Sequence, residues 1–365
     1  MKILCLITDA FGGHGGISKF NRDLLTALCA HPDVEEVVAV PRIMPHPEGN
    51  LPAKLKYEKE GVKSKFKFVI LVLRILFQRS YNFDLIICGH INLIPLSWLC
   101  RKIKGAPLAL IIHGIDAWQP TRSLVTNFFV KKIDMLISVS EYTRKRFLDW
   151  AEPHDVKVFI LPNSVDLSLF SPAPKSQVLS ERYGLNGKIV LLTLGRLDSL
   201  ERAKGFDEVM DVLPQLANEF PNILYLIAGA GRDKNRLEQK VKSLGIEDLV
   251  VFTGFVAEAE KTDHYRVADV YVMPSRGEGF GIVLLEAMAC GVPTIASKVD
   301  GSREALRDGL LGILVDPDNP TELIAGIREA LRMPRQIPDG LEHFSDKSFQ
   351  LRVHQFLDTL TGSSR

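Results

Sequence analysis

Short runs of Val, Ile and Leu alternate with longer stretches in which apolar residues recur every three or four positions, and this alternation runs twice along the chain. In the first half, Lys2–Thr8, Val34–Val40, Leu85–Cys88, Leu108–His113, Met135–Val139 and Val156–Leu161 predict strands, separated by helices such as Ile17–Cys29 and Glu141–Trp150. The runs are continuously apolar, as parallel strands covered on both faces require. The second half repeats the plan. Its strands are Ile189–Leu194, Leu224–Ala228, Val250–Thr253, Val270–Met273, Thr294–Ala296 and Gly312–Val315, and its helices include Phe206–Phe220, Asp233–Leu244, Lys261–Val267, Ile282–Ala289 and Pro320–Leu331. Two such series predict an α/β protein of two doubly wound, Rossmann-like domains. Both patterns lapse over Ser164–Pro174, so the expected domains are 1–165 and 166–340. Residues 341–365 follow a Pro-rich break and predict a final helix that packs back on the first domain. Ligands of open α/β sheets bind beyond the carboxyl ends of the strands, which for two domains facing one another places the site between them.

The length of 365 residues suits two domains. A net charge of +1 argues against a general nucleic-acid binder. The charge is uneven, however: residues 1–165 carry 22 Lys and Arg against 15 Asp and Glu, and the remainder carries 23 against 29. A basic first half suits an anionic partner, although scatter of a few charges gives the same count. Five cysteines with no C-x-x-C pairing read as reduced core thiols of a cytosolic protein. The start, Met1–Thr8, is too short for a signal peptide and reads as a first strand; no apolar run reaches 18 residues, so no membrane span is expected.

Four segments carry candidate chemistry. The first strand ends in Phe11-Gly12-Gly13-His14-Gly15-Gly16-Ile17, and a helix follows. Glycines let a ligand approach the backbone and the helix start offers N–H groups, so Gly13, Gly15 and Gly16 suit a phosphate or an acceptor; a plain strand–helix turn explains them as well. The dinucleotide fingerprint G-x-G-x-x-G is not met. After the strand Val270–Met273, the glycines around Glu278 lead into a helix near Gly281, which puts Glu278, Gly279, Phe280 and Gly281 in one loop and Glu286 in the second helical turn. A carboxylate accepts two hydrogen bonds and suits paired hydroxyls. After Ile189–Leu194, Arg196 and Lys204 flank Glu201-Arg202-Ala203, and two cations there can neutralise a departing diphosphate. His113 in Ile112-His113-Gly114-Ile115-Asp116 is either structural or a partner for a sugar hydroxyl.

Two further segments read more plainly. Asp316-Pro317-Asp318 has the form of a metal motif, but its place at a helix start makes it a cap, and no metal is expected. Lys65–Arg79, preceded by Lys54, Lys56, Lys59 and Lys63, is apolar with basic ends; it is either a packed helix with a basic rim or a segment lying on an anionic bilayer.

Together these residues resemble the retaining glycosyltransferase family 4, of the GT-B fold, over nearly the whole chain and most closely over residues 188–320. The likeness rests on Glu278-x7-Glu286 with its glycines, Gly195-Arg196-Leu197 with Lys204-Gly205, Leu161-Pro162-Asn163-Ser164-Val165-Asp166, and the early glycine loop, in the expected order. The resemblance implies that Arg196 and Lys204 hold the donor diphosphate, Glu286 the ribose, and Glu278 with the backbone of Gly279, Phe280 and Gly281 the transferred sugar. By the same resemblance His113 contacts a sugar hydroxyl, and Gly15 and Gly16 approach phosphate or acceptor. It further implies metal-independent transfer with retention, in which the leaving phosphate helps deprotonate the acceptor. The chain departs from the family in the longer Arg196–Lys204 spacing and in Asp300-Gly301-Ser302-Arg303-Glu304, where Gly-Gly-x-x-Glu is usual. Position 300 is therefore expected to alter sugar or phosphate contacts.

The expected function is transfer of a hexose from a UDP-sugar to a lipid-linked or oligosaccharide acceptor in surface polysaccharide synthesis, in the cytoplasm at the inner membrane face. A GDP-sugar is the alternative donor. An NAD-dependent two-domain oxidoreductase is disfavoured by the broken fingerprint, and an inactive sugar-nucleotide binder by the intact charged set.

Overall fold

The computed structural model describes the chain except residues 79–80, 199–203 and 363–365. Arg79, Glu201, Arg202 and Ala203, all singled out above, lie outside the described residues. The chain forms two compact units: Met1–Ser164 together with the segment from Asp346 onward, and Val165–Ser345.

Unit 1 is built on a parallel sheet of seven strands: β1 (Lys2–Ile7), β2 (Glu36–Pro41), β3 (Leu55–Tyr57), β4 (Leu85–Cys88), β5 (Leu108–Ile112), β6 (Met135–Ser138) and β7 (Lys157–Ile160). Their order is β3-β2-β1-β4-β5-β6-β7. Side chains alternate between faces. Leu4, Leu6, Val38, Val40, Leu108 and Leu110 pack on one face, against the helices Lys65–Phe77, Ile94–Lys104 and Glu141–Ala151. The helix Gly16–Ala30 pairs with the C-terminal helix Asp346–Thr361. Phe349, Val353, Phe356 and Leu357 are buried at helical spacing; Phe349 meets the ring of Phe20 edge-on at 5.5 Å, and a nitrogen of His354 lies 3.1 Å from the carbonyl of Ala27. Each such buried apolar side chain contributes about 1.5–3 kcal/mol, which is why the last helix belongs to the unit that begins the chain.

Unit 2 has six parallel strands: β8 (Ile189–Leu194), β9 (Ile223–Ala228), β10 (Val250–Gly254), β11 (Val270–Met273), β12 (Thr294–Ser297) and β13 (Ile313–Val315), in the order β10-β9-β8-β11-β12-β13. In each sheet the strand order reverses beside the first strand, at β1/β4 and at β8/β11. A doubly wound sheet opens a crevice at the carboxyl ends of the strands at that point.

The segment Lys65–Arg79 resolves into the helix Lys65–Phe77, capped by Ser64. Phe68, Leu71, Val72, Ile75 and Leu76 pack on the sheet, while Phe66 and Phe77 stay 75% and 71% exposed. The helix thus has one packed face and one exposed apolar face. No helix among the described residues is long and apolar enough to cross a membrane.

Candidate functional site

In unit 2 the loops after β8 and β11 meet at the switch point. Gly205 caps the helix Phe206–Glu219 at φ 86°, and a Cβ there would lie 2.6 Å from the carbonyl oxygen of Pro274. This close approach of backbones brings Lys204 to Glu278, with Nζ 2.8 Å from Oε2. Both side chains stay partly accessible, at 22% and 18%. Arg196, on the same β8 loop, is exposed. One carboxylate and two cations therefore stand at the carboxyl end of β8 and β11, beside the start of the helix Ile282–Ala289.

The Glu278 loop is held from below. Asp300 is 2% exposed, and its Oδ2 accepts from Ser275 Oγ at 2.6 Å and from the Glu278 N–H at 2.8 Å, while Oδ1 accepts from the Ser302 N–H at 3.0 Å and from the Ser302 hydroxyl. Burial raises the Asp300 carboxyl above the usual range, against the pull of these donors. The Asp300 carboxylate spends Oδ2 on the Glu278 loop and Oδ1 on Ser302, so it braces Glu278 from beneath and bears on sugar or phosphate through that loop. Gly301 completes the brace. Its N–H donates to the Glu278 carbonyl at 2.9 Å, and a Cβ would overlap the Gly279 carbonyl oxygen at 2.1 Å.

Phe280 and Glu286 are placed differently from one another and from Glu278. Phe280 is 2% exposed, backbone included, and its ring packs edge-on against Phe344, so its side chain is part of the core. Glu286 is 1% exposed; Oε1 lies 2.7 Å from Lys261 Nζ, and Oε2 accepts from the Tyr265 hydroxyl at 2.6 Å. The carboxylate holds the Lys261 ammonium pKa above its usual value despite burial, and burial first, then Glu286, raises the Tyr265 phenol. Lys261 and Tyr265 lie on the helix Glu258–Arg266, and nothing in their local sequence announces them. Arg276 turns away from this group and binds Asp318, Glu208 and the Pro317 carbonyl. Asp318 is thus held by an arginine, and Asn319 caps the next helix. Among the described residues no three His, Cys, Asp or Glu side chains are grouped to hold a metal ion.

In unit 1 the glycine loop leads into the helix Gly16–Ala30, whose N-cap is Gly15 at φ 92°. The first-turn N–H groups of a helix have no intrahelical acceptor. Gly13 has no space for a side chain, because a Cβ would lie 2.4 Å from Asp9 Oδ2 and 2.5 Å from Ser18 Oγ. His113 follows β5 directly. Its Nε2 is 3.1 Å from the Gly89 carbonyl after β4, and its ring meets Phe20 edge-on. A carbonyl only accepts, so Nε2 carries the proton and Nδ1 is left as an acceptor. Burial lowers His113 to about 4, which keeps the imidazole neutral near pH 7.

Asp116, three residues on, was not selected from sequence. Burial raises its carboxyl to about 7, and Oδ2 is buried with no hydrogen-bond partner. The two shifts oppose each other in stability. His113, with a folded pKa of about 4 against 6.5, contributes stability above pH 6.5 that is lost as pH falls toward 4. Asp116, with about 7 against 3.8, contributes stability below pH 3.8 that is lost as pH rises through 7. Between these limits the unfolded chain holds one proton on His113 and the folded chain holds one on Asp116, so the pair is nearly silent. Asp116→Asn removes one half. Its stability relative to the wild type is expected to rise with pH between about 4.5 and 6.5 by up to about 1.4 kcal/mol per unit. Urea unfolding at several pH values reads this slope, and parallel curves for the two proteins would contradict it.

Comparison with known proteins supplies the family. The model described as "Glycosyltransferase Family 4" matches residues 14–169, and that described as "Glycosyl transferases group 1" matches residues 177–346. The GDP-mannose-dependent alpha-(1-6)-phosphatidylinositol monomannoside mannosyltransferase of Mycolicibacterium smegmatis is 35% identical over 249 residues, 65% of this chain and 64% of that protein. The phosphatidyl-myo-inositol mannosyltransferase of Mycobacterium leprae is 31% identical over 328 residues, 86% of this chain and 81% of that protein. Several other curated relatives are likewise matched over just under two thirds of their length. HepE of Anabaena, solved in complex with UDP, superposes with a TM-score of 0.74 at 21% identity, over 98% of this chain and 100% of that one, a likeness of fold alone. Matched in turn over its two α/β units and aligned along most of its length with one such relative, the chain belongs to glycosyltransferase family 4 and has the GT-B fold.

Proposed function

We propose that the protein transfers a hexosyl group from a nucleoside-diphosphate sugar, held by unit 2, to a hydroxyl of a glycan or lipid-linked acceptor. The observation that carries this reading is the Lys204–Glu278 pair at the carboxyl ends of β8 and β11. Lys204 and Arg196 face the pyrophosphate, whose negative charge grows as the bond from C1 to the phosphate oxygen breaks. Glu278, oriented by Lys204 and by the Asp300 brace, accepts from hydroxyls of the transferred sugar. Neutral His113 accepts from another hydroxyl at Nδ1. The acceptor oxygen forms its bond to C1 on the face the leaving group vacates, and its proton passes to that phosphate oxygen, so the configuration is retained. The cations balance the charge without a metal. The first-turn N–H groups at Gly15 and Gly16 receive a phosphate or the acceptor.

The name of the Mycolicibacterium relative specifies GDP-mannose, whereas UDP accompanies structural neighbours of low identity. This moves the preferred donor from a UDP-sugar to a GDP-linked hexose. The exposed apolar face and basic ends of the helix Lys65–Phe77 support work at an anionic membrane surface. Calorimetric titration with GDP, UDP and NAD, followed by transfer assays with the matching sugar nucleotides, tests the reading. GDP is expected to bind most tightly. Binding of NAD alone, or of none of the three, overturns the assignment.

A further inference from the structure

Of the 21 large apolar side chains exposed among the described residues, nine lie on three helices of unit 1 that total thirty residues: Lys65–Phe77, Ile94–Lys104 and Leu124–Phe129. These helices pack side by side, and the rings of Trp98 on the second and Phe129 on the third meet at a tilt with centres 4.5 Å apart. The last of them carries the most exposed apolar residue of the set, Leu124 at 85%, with Phe128 at 56%. Beside it runs a groove of about 470 Å³ lined by Trp98, Lys102, Phe128, Lys131, Lys132 and His154. The groove reaches the two residues that precede β6, so it lies at the amino ends of the strands, the opposite end from the glycine loop.

Its charge is positive. Arg101, also on the rim, is cancelled by a two-point pairing with Asp134. Lys131 lies 3.7 Å from Glu152, which is 73% exposed to solvent, so that pairing is weak. Lys102 and Lys132 have no acidic partner among the described residues; each stands over an aromatic ring, Trp98 at 5.5 Å and Phe128 at 5.3 Å from the ring centre. Ammonium groups beside indole and phenyl rings, bordered by exposed Leu and Val, match a boundary where phosphate meets hydrocarbon. A free anion matches the lysines but leaves Leu124 and Val125 in water. A nucleic acid offers no apolar phase for them either.

We propose that this groove and the helix Leu124–Phe129 dock on an anionic phospholipid bilayer, with lipid phosphates among Lys102, Lys131 and Lys132 and with Leu124, Val125 and Phe128 among the upper acyl carbons. The inference extends the membrane reading of the helix Lys65–Phe77 to residues well outside it, and it is independent of the donor site.

Co-sedimentation with vesicles tests it. The full chain is expected to bind phosphatidylglycerol-containing vesicles, to release them at high salt, and to ignore pure phosphatidylcholine. At about fivefold per lysine, Lys102→Ser/Lys131→Ser/Lys132→Ser is expected to weaken binding roughly a hundredfold. Leu124→Ser/Phe128→Ser is expected to weaken it at least about tenfold, since two apolar anchors are lost. Nucleotide binding by calorimetry is expected to stay at the wild-type value in both variants, which shows that they are folded and separates this test from that of the donor site. The proposal is overturned if the wild type does not bind, if both variants bind as the wild type does, or if Phe66→Ser/Phe77→Ser alone abolishes binding while the groove variants do nothing. It is also overturned if millimolar inorganic phosphate displaces the wild type from vesicles, which marks the groove as a site for a free anion.

Discussion

Lys204→Ala is expected to lower kcat at saturating donor by about two to three orders of magnitude, the usual loss when one preorganised partner of a developing anion is removed. The effect falls on kcat because the phosphate gains charge only as the glycosidic bond breaks; the affinity for intact donor changes much less. The ion pair with Glu278 adds a second route to the same loss. Without the ammonium 2.8 Å away, Glu278 keeps its Asp300 brace on the backbone but loses the partner that orients its carboxylate. Lys204→Ala and Glu278→Gln are therefore expected to be non-additive, with the double variant little slower than the worse single one. Arg196→Ala is expected to act in the same direction. Steady-state kinetics with varied donor reads all of these, and a kcat within about threefold of the wild type in Lys204→Ala sinks the assignment.

Glu286→Ala is expected to remove two things at once. The side chain is 1% exposed, and its loss leaves the Tyr265 hydroxyl without its acceptor and Lys261, itself 16% exposed, with only the more distant Glu258 at 3.6 Å. Removing one member of a buried pair costs about 3–5 kcal/mol, and the partial exposure of Lys261 places this case at the lower end. For a unit of this size that is a fall in Tm of roughly 6–12 °C. The resemblance assigns the same carboxylate to the ribose, so nucleotide affinity is expected to fall as well. Glu286→Gln separates the two: an amide still accepts from Tyr265, so most of the stability returns, while the charge that binds paired hydroxyls does not. Weak nucleotide binding in a glutamine variant that melts near the wild type supports the ribose role. Full affinity in that variant leaves Glu286 as a structural anchor.

The architecture was legible because parallel strands buried on both faces are continuous apolar runs, and β1, β4, β8 and β11 could be placed within a residue or two. The edge strand β3 was not, since Leu55-Lys56-Tyr57 is short, half exposed and carries no run at all. Glycine-rich loops next to strand ends marked Glu278 and the early loop, because both the close approach of Gly301 to Gly279 and the turn at Gly15 require glycine locally. What escaped is tertiary. Lys261 and Tyr265 meet Glu286 from a helix 21–25 residues earlier, with no pattern linking the two. A carboxylate in place of a glycine at position 300 suggests altered ligand contacts, and only its hydrogen-bond partners show that it works as a support for the Glu278 loop. The basic groove draws on two helices, on residues after the second of them and on His154, each of which reads alone as part of an ordinary solvated segment.

The pairing of the first helix with the last has a consequence for synthesis. Phe20 on the helix Gly16–Ala30 is covered by Phe349, which leaves the ribosome only after the whole of Val165–Ser345. At about 5–20 residues per second, that delay is roughly 10–35 s. Throughout it the nascent amino-terminal unit has all its strands but an unroofed apolar strip, while the later unit, contiguous in sequence, can finish first. The half of the protein that is translated first is thus the half completed last.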